Sequence, residues 1–119
     1  MGFFYSVRGW LELNDESIEQ VQAIIDNNED QSPYTDSWHF PQRGGGFSRF
    51  VFFGCTVRDV SLDEVKQQIQ RIAITVVSRD GEYIDYVEGI FHITPEGGSF
   101  ETIWKCKDGS FTEQTIEAE

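Results

Sequence analysis

The hydrophobic period of this chain changes from two residues to about 3.6 at Asn14 and again near Ser61, and few folds accommodate two such switches in one small chain. Residues 3–13 alternate: Phe3, Tyr5, Val7, Leu11 and Leu13 fall on one face, while Ser6, Arg8 and Glu12 share the other with Phe4 and Trp10. Ile18, Val21, Ile24 and Ile25 then recur at helical spacing. They follow an Asn14 N-cap and an acidic Asp15-Glu16 first turn, so the spacing predicts a helix over 15–27.

The stretch 28–46 is irregular. Ser32-Pro33 and Gly44-Gly45-Gly46 mark loops around Trp38-His39-Phe40, which reads as a short strand. Phe47 to Val57 is a strong strand whose centre, Phe50-Val51-Phe52-Phe53, is apolar on both faces and suits an interior place in a sheet. The second helix is expected behind the capping box Ser61-Leu62-Asp63-Glu64, with Val60 and Val65 placed as a hydrophobic staple. Its stripe of Leu62, Val65, Ile69, Ile72, Ala73 and Val76 carries it to about residue 77. Asp80-Gly81 turns the chain into one long strand over 83–94, Pro95-Glu96-Gly97-Gly98 turns it back into Phe100–Lys107, and Asp108-Gly109 leads to a last strand near Phe111–Thr115.

The resulting order, β-α-β-β-α-β-β-β in a single domain over 1–119, predicts an α+β two-layer sandwich. An antiparallel sheet carries two helices on one face, as a ferredoxin-like core plus a C-terminal β-hairpin. Such a sandwich leaves the other face uncovered, where aromatic side chains form a docking surface. The alternative is that the aromatics fill both faces of a curved, partly closed sheet.

Nine Lys and Arg stand against 21 Asp and Glu in 119 residues, a formal charge of −12. That field repels phosphate backbones and anionic membranes and attracts basic protein surfaces, so no direct nucleic-acid or membrane contact is expected. Acidity that serves only solubility is the plainer reading. The opening MGFFYSVRGWLEL lacks a basic segment and is interrupted by Arg8 and Glu12, which argues against a secretory signal and for a cytoplasmic protein. Met1-Gly2 with Ser6 fits a myristoylation pattern formally, but Phe3, Tyr5 and Val7 look like core positions of the first strand. Cys55 and Cys106 belong to no CxxC or Cys/His cluster, so buried free thiols are expected, with a disulfide between them left open.

Little else points to chemistry. His39 and His92 have no GxSxG, HExxH or Walker pattern beside them. Gln42-Arg43-Gly44-Gly45-Gly46 has the composition of an anion loop, but it leads into a strand where a phosphate cradle opens onto a helix. Asp80, Glu82, Asp85 and Glu88 cluster in sequence, yet alternation along one strand sends Asp85 and Glu88 to opposite faces. No enzyme activity, catalytic residue, cofactor or metal site is expected.

The segments FFYSVRGWLEL, WHFPQRGGGFSRFVFFGCTVRD and DYVEGIFHI, with the small size, the acidity and the lack of catalytic motifs, resemble bacterial immunity proteins of contact-dependent inhibition and other polymorphic toxin systems. The resemblance implies a cytosolic partner that binds a toxin's catalytic domain, in many cases a basic nuclease, and blocks it. The expected contact residues are Glu29, Asp30 and Asp36, with Tyr34 and Trp38 as aromatic anchors. A second reading is a ligand-binding or enzymatic domain that uses the open sheet face with His39, Arg43 or His92. A third is an accessory protein that mimics the charge of DNA.

Overall fold

The computed structural model of the chain describes residues 3–26, 34–41 and 48–117. Strand β1 (Phe4–Leu13) runs straight into helix α1 (Asp15–Asp26). After a 3-10 turn at Thr35–Ser37 come β2 (Trp38–His39) and β3 (Arg49–Arg58), then helix α2 (Asp59–Ala73). The rest of the chain is strand: β4 (Val76–Asp80), β5 (Tyr83–Tyr86), β6 (Glu88–Pro95), β7 (Phe100–Lys107) and β8 (Ser110–Glu117). Six of these form one antiparallel sheet in the order β2-β3-β1-β6-β7-β8, and β4 and β5 form a separate hairpin.

The alternation read from the sequence sorts the sheet's two faces. Val7, Leu11 and Leu13 of β1, Val51, Phe53 and Val57 of β3, Phe91 and Ile93 of β6, and Trp104 and Cys106 of β7 are buried. They share one core with Val21 and Ile25 of α1 and Val65, Ile69, Ile72 and Ala73 of α2. Both helices therefore lie on that face. Among the described residues the sheet ends in open edges at β2 and β8, so it does not close on itself, and no described element covers its other face. The interior position expected for β3 holds, but the Phe50 and Phe52 side of that strand is not packed against a second layer.

Asn14 caps α1 as its sequence suggests. Its Oδ1 accepts the Ser17 backbone N–H at 2.9 Å, and Ser17 Oγ returns the bond by accepting the Asn14 N–H at 3.1 Å. Asn14 Nδ2 also donates to the Val77 carbonyl at 2.8 Å, which ties the helix start to β4.

The second helix departs from expectation at both ends. It starts at Asp59 with Arg58 as the N-cap residue, so the Ser61–Glu64 capping box is not used and those residues lie inside the first turns. The chain leaves β3 directly into the helix because the first amides already have acceptors. The Arg58 N–H donates to the Tyr34 hydroxyl at 3.1 Å, and the Asp59 N–H donates to the Phe3 carbonyl at 2.8 Å. The helix ends at Ala73, and the β-branched Val76 and Val77 enter β4 where the stripe had suggested more helix.

The long strand expected over 83–94 is two strands. Tyr83–Tyr86 pairs with β4 around Gly81, whose φ of 62° fits the tight turn. Val87 is fully buried, and its N–H donates to the Thr75 carbonyl at 3.0 Å. From Glu88 the chain joins the main sheet beside β1. Cys55 and Cys106 are free and sit on β3 and β7, with β1 and β6 between them. Three strand spacings of ~4.8 Å exceed the reach of a disulfide, which settles the pairing left open above. No helix among the described residues is long and apolar enough to cross a membrane.

Candidate partner-binding site

Residues paired across adjacent strands point to the same side of a sheet, so the register lays out the uncovered face row by row. One row runs His39, Phe52, Trp10, Ile90, Lys105, Thr112. A neighbouring row runs Phe50, Glu12, Glu88, and another runs Gly54, Arg8, His92, Ile103, Gln114. Trp10, Phe50 and Phe52 are 37%, 43% and 45% exposed, large apolar side chains that the core does not use. The Trp10 and Phe50 rings meet edge to face with centroids 6.0 Å apart. Together they form an aromatic platform on the adjacent strands β1 and β3, with Ile90 of β6 half-buried beside it.

Where the sheet meets the β4–β5 hairpin, a cavity of about 350 Å³ opens next to this platform. It is lined by Glu12, Leu13, Asn14, Ser48, Val77, Asp85, Tyr86 and Glu88, with no basic residue among them. Glu12 and Glu88 are register partners on β1 and β6, so two carboxylates stand directly opposite each other. Ser48 Oγ donates to Glu12 Oε2 at 3.1 Å and Ser78 Oγ to Asp85 Oδ2 at 2.9 Å. The break at Val87 has a direct consequence here: Asp85 and Glu88, expected on opposite faces of one strand, both line the cavity.

Charge is unevenly spread. The uncovered face carries Arg8, Arg58, Lys105 and Lys107 against Glu12, Glu88 and Glu101, so it is close to balanced. The helices carry Asp15, Glu16, Glu19, Asp26, Asp59, Asp63 and Glu64 against Lys66 and Arg71. Asp15, Glu16, Asp80, Glu82 and Asp85 belong to the start of α1 and to the β4–β5 hairpin, the elements around the cavity, and extend its negative field. Arg49 answers Asp15 at 2.7 Å, and Lys66 answers Glu113 at 3.1 Å.

Of the contact residues expected from sequence, Asp36 is exposed in the 3-10 turn before β2. Trp38 cannot serve as an exposed anchor. It is 6% exposed, its ring packs on Phe53 and Phe91, and its Nε1–H donates to Gln68 Oε1 at 3.0 Å. Tyr34 is half-buried and packs against the core, with its hydroxyl holding the start of α2. Both aromatics were expected as exposed anchors; they belong to the packing of the core. Glu29, Asp30 and Arg43 lie outside the described residues.

His39 and His92 both reach the uncovered face but do not converge. They stand on β2 and β6, three strand spacings or ~14 Å apart across the sheet. His92 is half-buried and its Nδ1 sits 2.6 Å from Glu101 Oε1, a cross-sheet pair. Neither histidine lines the acidic cavity or a second one beside Ser99, Phe100, Thr115 and Glu117. Among the described residues no three His, Cys, Asp or Glu side chains are grouped to hold a metal ion. Burial pushes the Cys106 thiol up to about 12, and it pushes Cys55 up as well against a smaller opposing hydrogen bond from Ser37. Neither thiol is activated as a nucleophile.

Sequence reasoning missed Trp10, Phe50 and Phe52 as site residues, although the signal was present. Each alternates with a core residue, and among the described residues no element forms a second layer over them. The chain matches no protein-family model, no curated protein and no solved structure.

Proposed function

We propose that the chain is an acidic protein-binding module of the immunity type, not an enzyme, that neutralises a basic toxin domain in the cytoplasm by direct contact. The observation that carries this reading is the aromatic platform of Trp10, Phe50 and Phe52 beside the Glu12–Glu88 pair. Exposed aromatics are costly in water, and they are the residue types that anchor protein interfaces. The surrounding acids would accelerate encounter with a basic partner. The charge of −12 speaks against a nucleic-acid ligand, and the separation of His39 from His92 speaks against a shared catalytic centre.

A ferredoxin-like core extended by the β7–β8 hairpin is the topology we assign to this scaffold. Its support is the strand order β2-β3-β1-β6, with α1 between β1 and β2 in the chain and α2 between β3 and β6.

The test is functional neutralisation. A basic domain captured by the protein at low salt and released at high salt is expressed alone and then with the chain. The expected result is that expression alone is toxic and co-expression restores growth. Growth that stays inhibited, with the two proteins demonstrably co-expressed, refutes the reading.

A further inference from the structure

The uncovered face has two unlike parts side by side, and together they define an occupant more narrowly than net charge does. We propose that this face docks a protein segment that lays an apolar side chain across Trp10, Phe50 and Phe52 and places a lysine or arginine head in the cavity between Glu12, Asp85 and Glu88. The proposal rests on the reading of the chain as a protein-binding module and specifies its surface and the chemistry of its partner.

Continuity joins the two parts. Phe50 is the register partner of Glu12, and Glu12 of Glu88, so the platform gives way to carboxylate within one strand spacing. Like charges directly opposite each other destabilise an antiparallel pair. Among the described residues the Glu12 carboxylate has only the Ser48 hydroxyl as a partner, and the Glu88 carboxylate has no hydrogen-bond or ion-pair partner. Arg8, the base nearest to them on β1, turns to the hydroxyls of Ser6 and Thr94, each at 3.2 Å. Among the described residues the face thus has a negative end without a direct ion pair and an uncovered apolar middle. Arg and Lys match both, because their methylene stems lie on apolar surface while the charged head reaches an acceptor. A single-stranded nucleic acid would stack its bases on the same rings but bring phosphates against Glu12 and Glu88.

The purified full chain is titrated, by fluorescence anisotropy, into a fluorescein-labelled peptide of alternating leucine and lysine. A leucine–glutamate peptide and oligothymidylate serve as comparators, and sedimentation velocity reports self-association. The leucine–lysine peptide is expected to bind tightest. Glu12→Gln with Glu88→Gln, and separately Phe52→Ser, should each weaken it by about tenfold. Glu19→Gln with Glu64→Gln, the same change of charge on the helices, should alter it by less than about twofold at moderate salt. The two glutamine pairs are near-isosteric and Phe52 is half exposed, so unchanged circular dichroism and melting will show that each variant folds.

Equal losses for the two glutamine pairs, no binding of the leucine–lysine peptide, tighter binding of oligothymidylate, or self-association through this face each overturns the proposal. The neutralisation assay separates the two levels. Wild-type failure removes the module reading itself. If Glu12→Gln/Glu88→Gln and Phe52→Ser neutralise as well as wild type does, only the sheet face is lost.

Discussion

The aromatic platform sits where two backbones come unusually close, and that closeness can be tested by adding one methyl group. Gly9 on β1 pairs with Phe91 of β6, and Gly89 on β6 pairs with Leu11 of β1. A Cβ at Gly9 would fall on the Ile90 carbonyl oxygen and within 2.7 Å of the Phe91 Cα. At Gly89 it would fall on the Trp10 carbonyl oxygen and within 2.7 Å of Leu11 Cδ2. These are mostly backbone obstacles, so β1 and β6 must separate to admit the methyl. Overpacking in a well-filled region costs about 1–3 kcal/mol, and a clash with backbone belongs at the upper end. With an unfolding entropy of ~2.1 cal/mol/K per residue, a chain of this length loses about 12 °C of melting temperature for about 3 kcal/mol. Gly9→Ala and Gly89→Ala should each show a fall of that order by calorimetry or circular dichroism. Gly54→Ala is the control, since a Cβ there meets nothing within 4 Å and its melting temperature should hold or rise slightly. Melting of both Gly9→Ala and Gly89→Ala within about 2 °C of wild type would refute the close-approach argument.

Three further outcomes follow from single contacts. Gln68→Leu leaves the buried Trp38 Nε1–H without its acceptor and should cost about 1–3 kcal/mol in urea denaturation, while the more exposed Gln67→Leu should cost far less. Asn14→Ala removes the α1 cap and the tie to Val77, and should lower stability by about 1–2 kcal/mol, with Asn14→Ser recovering the cap but not the tie. Cys106 holds its proton to about 12 in the folded protein against 9.0 when free. Below about pH 9 both states are protonated and nothing is lost; between about pH 9 and 12 only the unfolded chain gives up the proton, so stability falls as pH rises. Cys106→Ala should therefore show a shallower decline in its denaturation midpoint from pH 8 to 10.5 than wild type, and parallel declines would argue against this account.

Much of the scaffold is legible in residue periodicity. The alternation over β1, the Asn14 cap and the stripe of α1 determine one face each, because a slip of one residue would expose the whole core set. The Asp108-Gly109 hairpin is equally plain, with φ of 54° and 76° at its two turn residues. The end of α2 and the break at Val87 were hidden for a common reason. Ile72 to Val77 is apolar enough for a helix stripe, and Tyr83 to Thr94 alternates well enough for one strand. Long-range bonds decide both: the carbonyl of Thr75 takes the Val87 N–H, and the Asn14 amide holds Val77. The candidate site suffered most from this. Its acids come from β1, β5 and β6, and only the unforeseen break brings Asp85 and Glu88 to one opening. Trp38 was misread because a tryptophan in an irregular stretch looks free until its buried partner Gln68, thirty residues away, is seen.

The acidic cavity has a divided construction. Glu12, Leu13 and Glu88 are held by the six-stranded ladder, whereas Val77, Asp85 and Tyr86 belong to the detached β4–β5 ribbon. No rung of either ladder crosses the gap. The Asn14 amide hydrogen bond to the Val77 carbonyl at 2.8 Å does span it, so the width of the aperture depends on a side chain and not on strand pairing.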